Sequence, residues 1–157
     1  MNYIIGIDIG TGSAKAVAVN TSGEAIYTTQ VSYPTIHPEP DYSEQAPELI
    51  WQAFVKCVIR TVDSLDEKPS AIVLSSAMHS VIAVDETGSP LMNMIIWADN
   101  RSASIATEIK DSPQGKLIYE QTGTPIHAMS PLSKIVWLKE HRPSLFTEIH
   151  RFISIKE

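Results

Sequence analysis

Three strand patterns follow one another within the first 33 residues, spaced only by two tight turns. YIIGIDI (3–9), AKAVAV (14–19) and EAIYTTQVSY (24–33) each read as a β-strand, joined by GTGS and by NTSG. NTSG carries the residues of a hairpin turn. Connections this short leave no room for a crossover, so the three strands must run antiparallel. PTIHPEPDYSEQAP then reads as a loop, rich in proline and polar residues.

Residues 47–65 predict an amphipathic helix, with Pro47 in its first turn and Leu49, Ile50, Ala53, Phe54, Val58, Val62 and Leu65 on one face. AIVLSS (71–76) is nearly all apolar, the pattern of a central strand covered on both sides. SVIAVDETGSPLMNMIIWA predicts a hairpin turning at Glu86-Thr87-Gly88, and helices are expected over 101–110 and 131–141. For the second of these, Ser130 is the candidate N-cap and Pro131 the first helical residue. HRFISIKE reads as a last strand, and no element follows to cover it. The expectation is therefore an α/β domain with a mixed central sheet, cut short at its C-terminal end, over residues 1–157.

The chain's bulk properties fit a folded domain: 157 residues, 43 % apolar and 19 % charged. Twelve Lys and Arg against 18 Asp and Glu give a net charge of −6, which argues against nucleic acid as the main partner. A nucleotide is compatible with that charge, because a few amides and a metal ion neutralise phosphates locally. Cys57, the single cysteine, excludes an internal disulfide and reads as a small buried hydrophobe. The N-terminus lacks a basic segment and no apolar run reaches membrane-spanning length, so neither a signal peptide nor a membrane partner is expected and the default compartment is the cytoplasm.

Asp8 closes the first strand and is followed by Gly10, Thr11, Gly12, Ser13 and Lys15. A carboxylate at a strand end in an open α/β sheet points into the crevice where ligands bind. The glycines allow close approach, the hydroxyls and amides of Thr11 and Ser13 donate to phosphate oxygens, and Lys15 adds a positive charge. Asp8 suits magnesium, directly or through water. These are the parts that phosphoryl transfer uses. The same residues also suit a tight hairpin with a capping aspartate. Neither the Walker spacing nor the dinucleotide G-x-G-x-x-G is present.

IGIDIGTGSAKAV resembles the first phosphate motif of the FGGY carbohydrate kinases, which share the actin-like, ribonuclease-H-like ATPase fold. Three further segments match in order. YSEQAPELIW resembles the segment before the family's first helix, SSAMHSVIAVDETGSPLMNMIIWADNRS resembles its sugar-binding core, and MSPLSKIVWLKEH fits its proline-then-K-x-x-W signature. Within the family, SSAMHSVIA, WADNRS and TGTPIHAMSPLSKI look most like gluconate kinases. The resemblance implies ATP and Mg2+ as cofactors and transfer of the γ-phosphoryl group to the 6-hydroxyl of D-gluconate. It leaves xylulose kinase, another sugar kinase of the family and a non-catalytic sugar-acid-binding module as alternatives, and homodimer formation open.

On their own, Met78 and His79 suit packing and a satisfied histidine; the resemblance makes them sugar contacts. Trp97, Asp99 and Arg101 suit a helix start equally well; by resemblance Trp97 walls the sugar carbons, while Asp99 and Arg101 fix hydroxyls or the carboxylate. His127 and Met129 suit loop packing and, less directly, the same cavity. Gln45 is a peripheral candidate, Lys134 enters only as part of the signature, and Trp137 is expected in the core. His37 and His141 read as solvated surface residues. The family's general-base aspartate and adenine pocket match no residue here, so the base is expected beyond Glu157 and the chain alone is expected to have negligible kinase activity.

Overall fold

The computed structural model describes residues 2–157, which fall into two compact units. One comprises residues up to Thr35, Gln45–Ala77 and Ile155–Glu157; the other comprises Ile36–Glu44 and Met78–Ser154. A two-residue strand, β4 (Glu44–Gln45), straddles the boundary in sequence. Within the single domain that the sequence predicts, the chain packs as two compact units.

The first unit is built on β1 (Tyr3–Ile9), β2 (Ser13–Asn20), β3 (Ala25–Ser32) and β5 (Ala71–Ser76), in the sheet order β3-β2-β1-β5. The β1–β2 and β2–β3 pairs are antiparallel, whereas β5 runs parallel to β1, so the sheet is mixed. The NTSG turn forms as its residues dictate. Asn20 Oδ1 accepts from the amides of Ser22 and Glu24, and Gly23 adopts φ +83°, which a side chain would strain.

Helix α1 (Pro47–Leu65) packs on this sheet, with Pro47 in the first turn as predicted and Asp66 ending it in a left-handed conformation. Its buried line is Ile50, Ala53, Cys57 and Thr61, so the inward face is rotated from the predicted one. Leu49 is exposed, and Phe54, Val58, Val62 and Leu65 flank the contact half-buried. The helix meets the face carrying Tyr3, Ile5, Ile7 and Ile9 and the small Ala14, Ala16 and Ala18, whose short side chains let it approach closely. Cys57 is fully buried, its thiol donating to the Ala14 carbonyl at 3.3 Å, and burial pushes its pKa up.

The cover that the sequence predicts for β5 is not supplied by the described residues. β5 is the outer strand of the sheet, and Ala71 to Ser75 are all exposed. Its backbone pairs parallel with β1, Ile4 opposite Ala71 through Ile9 opposite Ser76.

The second unit is organised by β6 (Ile82–Val84), β7 (Met94–Ile95), α2 (Ala103–Asp111), α3 (Pro113–Thr122), α4 (Pro131–His141), α5 (Pro143–Glu148) and β8 (Arg151–Ile153). Its core is Val81, Ile95, Ile105, Trp137 and Leu138, flanked by Tyr42, Phe146 and Phe152. The expected hairpin forms around Asp85, whose Oδ1 accepts from the amides of Thr87 and Ser89, with Gly88 at φ +84°. The Thr87 hydroxyl, which also donates to Asp85 Oδ1 at 2.7 Å, and then those amides hold its carboxyl below the usual range.

α4 has its predicted limits, with Pro131 first; Ser130 is the N-cap residue but makes no side-chain cap bond. α3 and α5 are additional helices. The final strand is short and pairs antiparallel with β6 in its own two-stranded sheet, instead of extending the main sheet. Among the described residues no helix is long and apolar enough to cross a membrane.

Candidate functional site

Two residue clusters matter chemically, one in each unit. In the first unit, Asp8 and Lys15 lie directly opposite each other across β1 and β2, on the sheet face away from α1. They line an open groove of about 450 Å³ with Gly6, Val17, Val73 and Ser75. Both side chains are exposed, as are Thr11 and Gly12 in the turn between the strands. A methyl at Gly12 would meet nothing within 4 Å, and one at Gly10 would sit 3.5 Å from Asp8 Oδ2. The turn is therefore open to a ligand, and neither glycine is there for a left-handed backbone.

The turn is held from beneath by two buried residues. Tyr33 donates from its hydroxyl to the Gly10 carbonyl at 2.6 Å and from its amide to the Gly12 carbonyl at 3.1 Å. Gln45 donates its amide to the Thr11 carbonyl and, at 2.9 Å, to Thr35 Oγ1. Burial, reinforced by the Asp8 charge, pushes the Tyr33 phenol up to about 12, so it stays a donor across the physiological range. Gln30 donates to the Ser13 hydroxyl at 2.9 Å, so that hydroxyl is already oriented. Gln45 is thus a support of the turn, and Tyr33 is a support that no local pattern in the sequence announced.

Magnesium fits this turn only in part. Asp8 is the sole carboxylate lining the groove, and no group of three or more His, Cys, Asp or Glu side chains among the described residues could enclose a metal. One carboxylate, with waters and phosphate oxygens, is the usual protein contribution to a magnesium site at a nucleotide.

In the second unit, Met78 is 71 % exposed and Trp97 46 % exposed, both apolar surfaces facing solvent. Between them in character is His79, half-buried, with φ +64°, an uncommon backbone state for a residue with a side chain. Its carbonyl accepts from Lys134 Nζ at 2.7 Å, and the same ammonium donates to the Met129 carbonyl at 2.8 Å. His127 is exposed at the surface, its Nδ1 accepting from the Met129 amide at 3.1 Å, and its carbonyl accepts from the Ser133 hydroxyl. The histidine thus shapes the loop that the Lys134 ammonium grips.

Asp99 and Arg101 are bound to each other. Asp99 is 0 % exposed, and its carboxylate accepts from the Ser43 amide at 2.6 Å, the Arg101 amide at 3.1 Å, and Arg101 Nε and Nη2. Those bonds fill its acceptor positions. Arg101, with 3 % of its side chain exposed, also bonds Glu44 at 2.7 Å and stacks its guanidinium 3.7 Å over the Tyr42 ring. The pair ties the 41–44 segment to the start of α2. The Arg101 fork thus bonds both Asp99 and Glu44. Trp137 is core, as predicted, stacked on His141 with ring centroids 4.8 Å apart. His141 is therefore engaged with Trp137 and not simply solvated. His37 is exposed, with its ring nitrogen 2.8 Å from the Tyr42 carbonyl.

A carboxylate closing β1 beside an open glycine turn, on a mixed α/β sheet of order β3-β2-β1-β5, places the chain in the actin-like ATPase fold class. Residues 3–157 match the N-terminal domain of the FGGY family of carbohydrate kinases, and the chain belongs to that family. It is 45 % identical over 157 residues to the gluconokinase of Bacillus subtilis, covering 99 % of this chain and 31 % of that protein. The crystal structure of gluconate kinase from Lactobacillus acidophilus superposes with TM-score 0.95 at 36 % identity, covering 99 % of this chain and 32 % of that one. Ligand-bound xylulose kinase from Lactobacillus acidophilus superposes with TM-score 0.96, also at 36 % identity, covering 100 % and 32 %. The chain thus spans about a third of the length of the relatives it matches.

Proposed function

We propose that the intact gene product carrying this sequence is an ATP-dependent kinase that phosphorylates D-gluconate on its 6-hydroxyl and works in the cytoplasm. The observation that carries this reading is the 45 % identity to a gluconokinase along 99 % of the chain. In this account residues 1–157 are the N-terminal part of the kinase, and the general base and adenosine pocket are contributed by other sequence.

Each residue then has a role. The open turn of Gly10, Thr11, Gly12 and Ser13 receives phosphate oxygens, with Tyr33 and Gln45 fixing its carbonyls from below. Lys15 offsets phosphate charge beside the groove, and Asp8 supplies the carboxylate for magnesium. When bound, that ion would neutralise charge on the transferring phosphoryl group. Met78 and Trp97 offer apolar surface to the carbon chain of the acceptor, and His79 offers an imidazole to its hydroxyls. Asp99 and Arg101 act behind them, holding the segment on which Trp97 lies.

A second reading, xylulose kinase, is favoured by the TM-score of 0.96 to the ligand-bound xylulose kinase. Incubating the intact protein with MgATP and gluconate and following the product by phosphorus NMR tests the first reading. A phosphate ester on C6 is expected, and ADP formation only with xylulose would replace gluconate by the ketose. This chain expressed by itself is expected to show no turnover above background.

A further inference from the structure

Lys134 is 0 % exposed, and both acceptors of its ammonium are main-chain carbonyls. A buried cation is costly, and a methionine of similar volume would fill such a site more cheaply if packing were its only purpose. The two carbonyls belong to His79 and Met129, on two loops 50 residues apart in sequence. One of those residues, His79, sits at φ +64°, a state that costs of order 1 kcal/mol for a non-glycine and persists only when its surroundings hold it.

We propose that Lys134 is the positioning residue of the acceptor site, its ammonium joining the His79 and Met129 carbonyls and so fixing the left-handed backbone that presents the His79 imidazole. This rests on the assignment of His79 as an acceptor contact. Lys134 bonds His79 through its main-chain carbonyl, so the clamp does not use the imidazole. α4 provides the rigid base, since Lys134 lies in its first half, four residues after Ser130. Burial pulls the ammonium's pKa down to about 8, with the charge of Asp99 opposing and that of Arg101 reinforcing the shift. The clamp is thus protonated at neutral pH and weakens in mild alkali.

Lys134→Met in the intact kinase tests this, with steady-state kinetics varied in each substrate. The expected result is a KM for the sugar acceptor raised about tenfold or more, with KM for ATP within about twofold of wild type. An unchanged acceptor KM in a folded variant would overturn the proposal. Should Lys134→Met fail to fold, wild type provides the second measurement: its acceptor KM should rise between pH 7.5 and 9.5 while KM for ATP stays level, and a flat acceptor KM over that range overturns the clamp. The acceptor in both arms is whichever sugar the wild type phosphorylates. Wild-type inactivity on gluconate therefore refutes the substrate assignment, whereas a wild-type-like variant refutes the role of Lys134.

Discussion

Asp99 shows how far a residue's chemistry is decided by partners distant in sequence. W-A-D-N-R offers a carboxylate and a guanidinium to any ligand, and the segment alone cannot say whether they are already taken. The answer lies at Ser43 and Glu44, more than 50 residues away, which complete the bonds of both groups. Removing one partner of a buried, hydrogen-bonded pair leaves the other uncompensated, so Asp99→Asn or Arg101→Met should cost about 3–5 kcal/mol in urea unfolding. Lys116→Ala supplies the contrast. Its pair with Glu120 is 3.8 Å long and solvated at both ends, so the loss should stay below about 0.5 kcal/mol.

Lys134 makes a prediction of sign. Its pKa is about 8 in the fold against an ordinary 10.5, so between those values the unfolded chain binds more protons than the native one. Stability from this group therefore rises with pH across that window, by at most about 1.4 kcal/mol per pH unit. Cys57 and Tyr33, whose pKa values are raised, pull the other way above their ordinary values. The difference in unfolding free energy between wild type and Lys134→Met removes them. That difference should move in favour of wild type from pH 8 to pH 10, and a constant difference would contradict a buried ammonium.

At the scale of elements, local pattern was sufficient wherever one face is buried and the turn residues are decisive. β1, β2, β3 and α1 lie within a residue or so of their predicted limits because period-two alternation, Asn20–Gly23 and Pro47 each leave one solution. For β5, the apolar run predicts cover without saying which element provides it. α3 was missed because PQGKLIYEQT has little amphipathic character, although Ser112 followed by Pro113 is a helix start. The Ser112 hydroxyl accepts from the Gly115 amide at 3.1 Å in the expected capping position.

Gly115 also marks where α2 and α3 press together. A methyl there would fall 2.0 Å from the Ile109 carbonyl oxygen, a backbone atom that cannot swing aside. Gly115→Ala should destabilise by about 1–3 kcal/mol, read as a lowered midpoint in thermal unfolding. Gly12→Ala, where the added methyl meets nothing, should leave that midpoint unchanged yet raise KM for ATP by crowding the phosphate turn. An unaltered KM for ATP in Gly12→Ala would remove the turn from nucleotide binding.

For the whole molecule, the family was legible because its motifs sit where chain direction and strand ends force them. The division into two units was not, because the chain crosses the boundary at Thr35–Ile36, Glu44–Gln45, Ala77–Met78 and Ser154–Ile155, without linker composition.

Everything functional in this account descends from one idea, that a metal-and-phosphate turn and a polyol site belong to one gluconate-specific kinase. Measuring kcat/KM of the intact protein with MgATP on D-gluconate, D-xylulose and glycerol, side by side, tests it most directly. Gluconate should exceed both others by about a hundredfold or more, the scale at which a site built for an acceptor's polar groups rejects analogues. A preference for xylulose or glycerol, or no phosphorylation of any of the three, would contradict it.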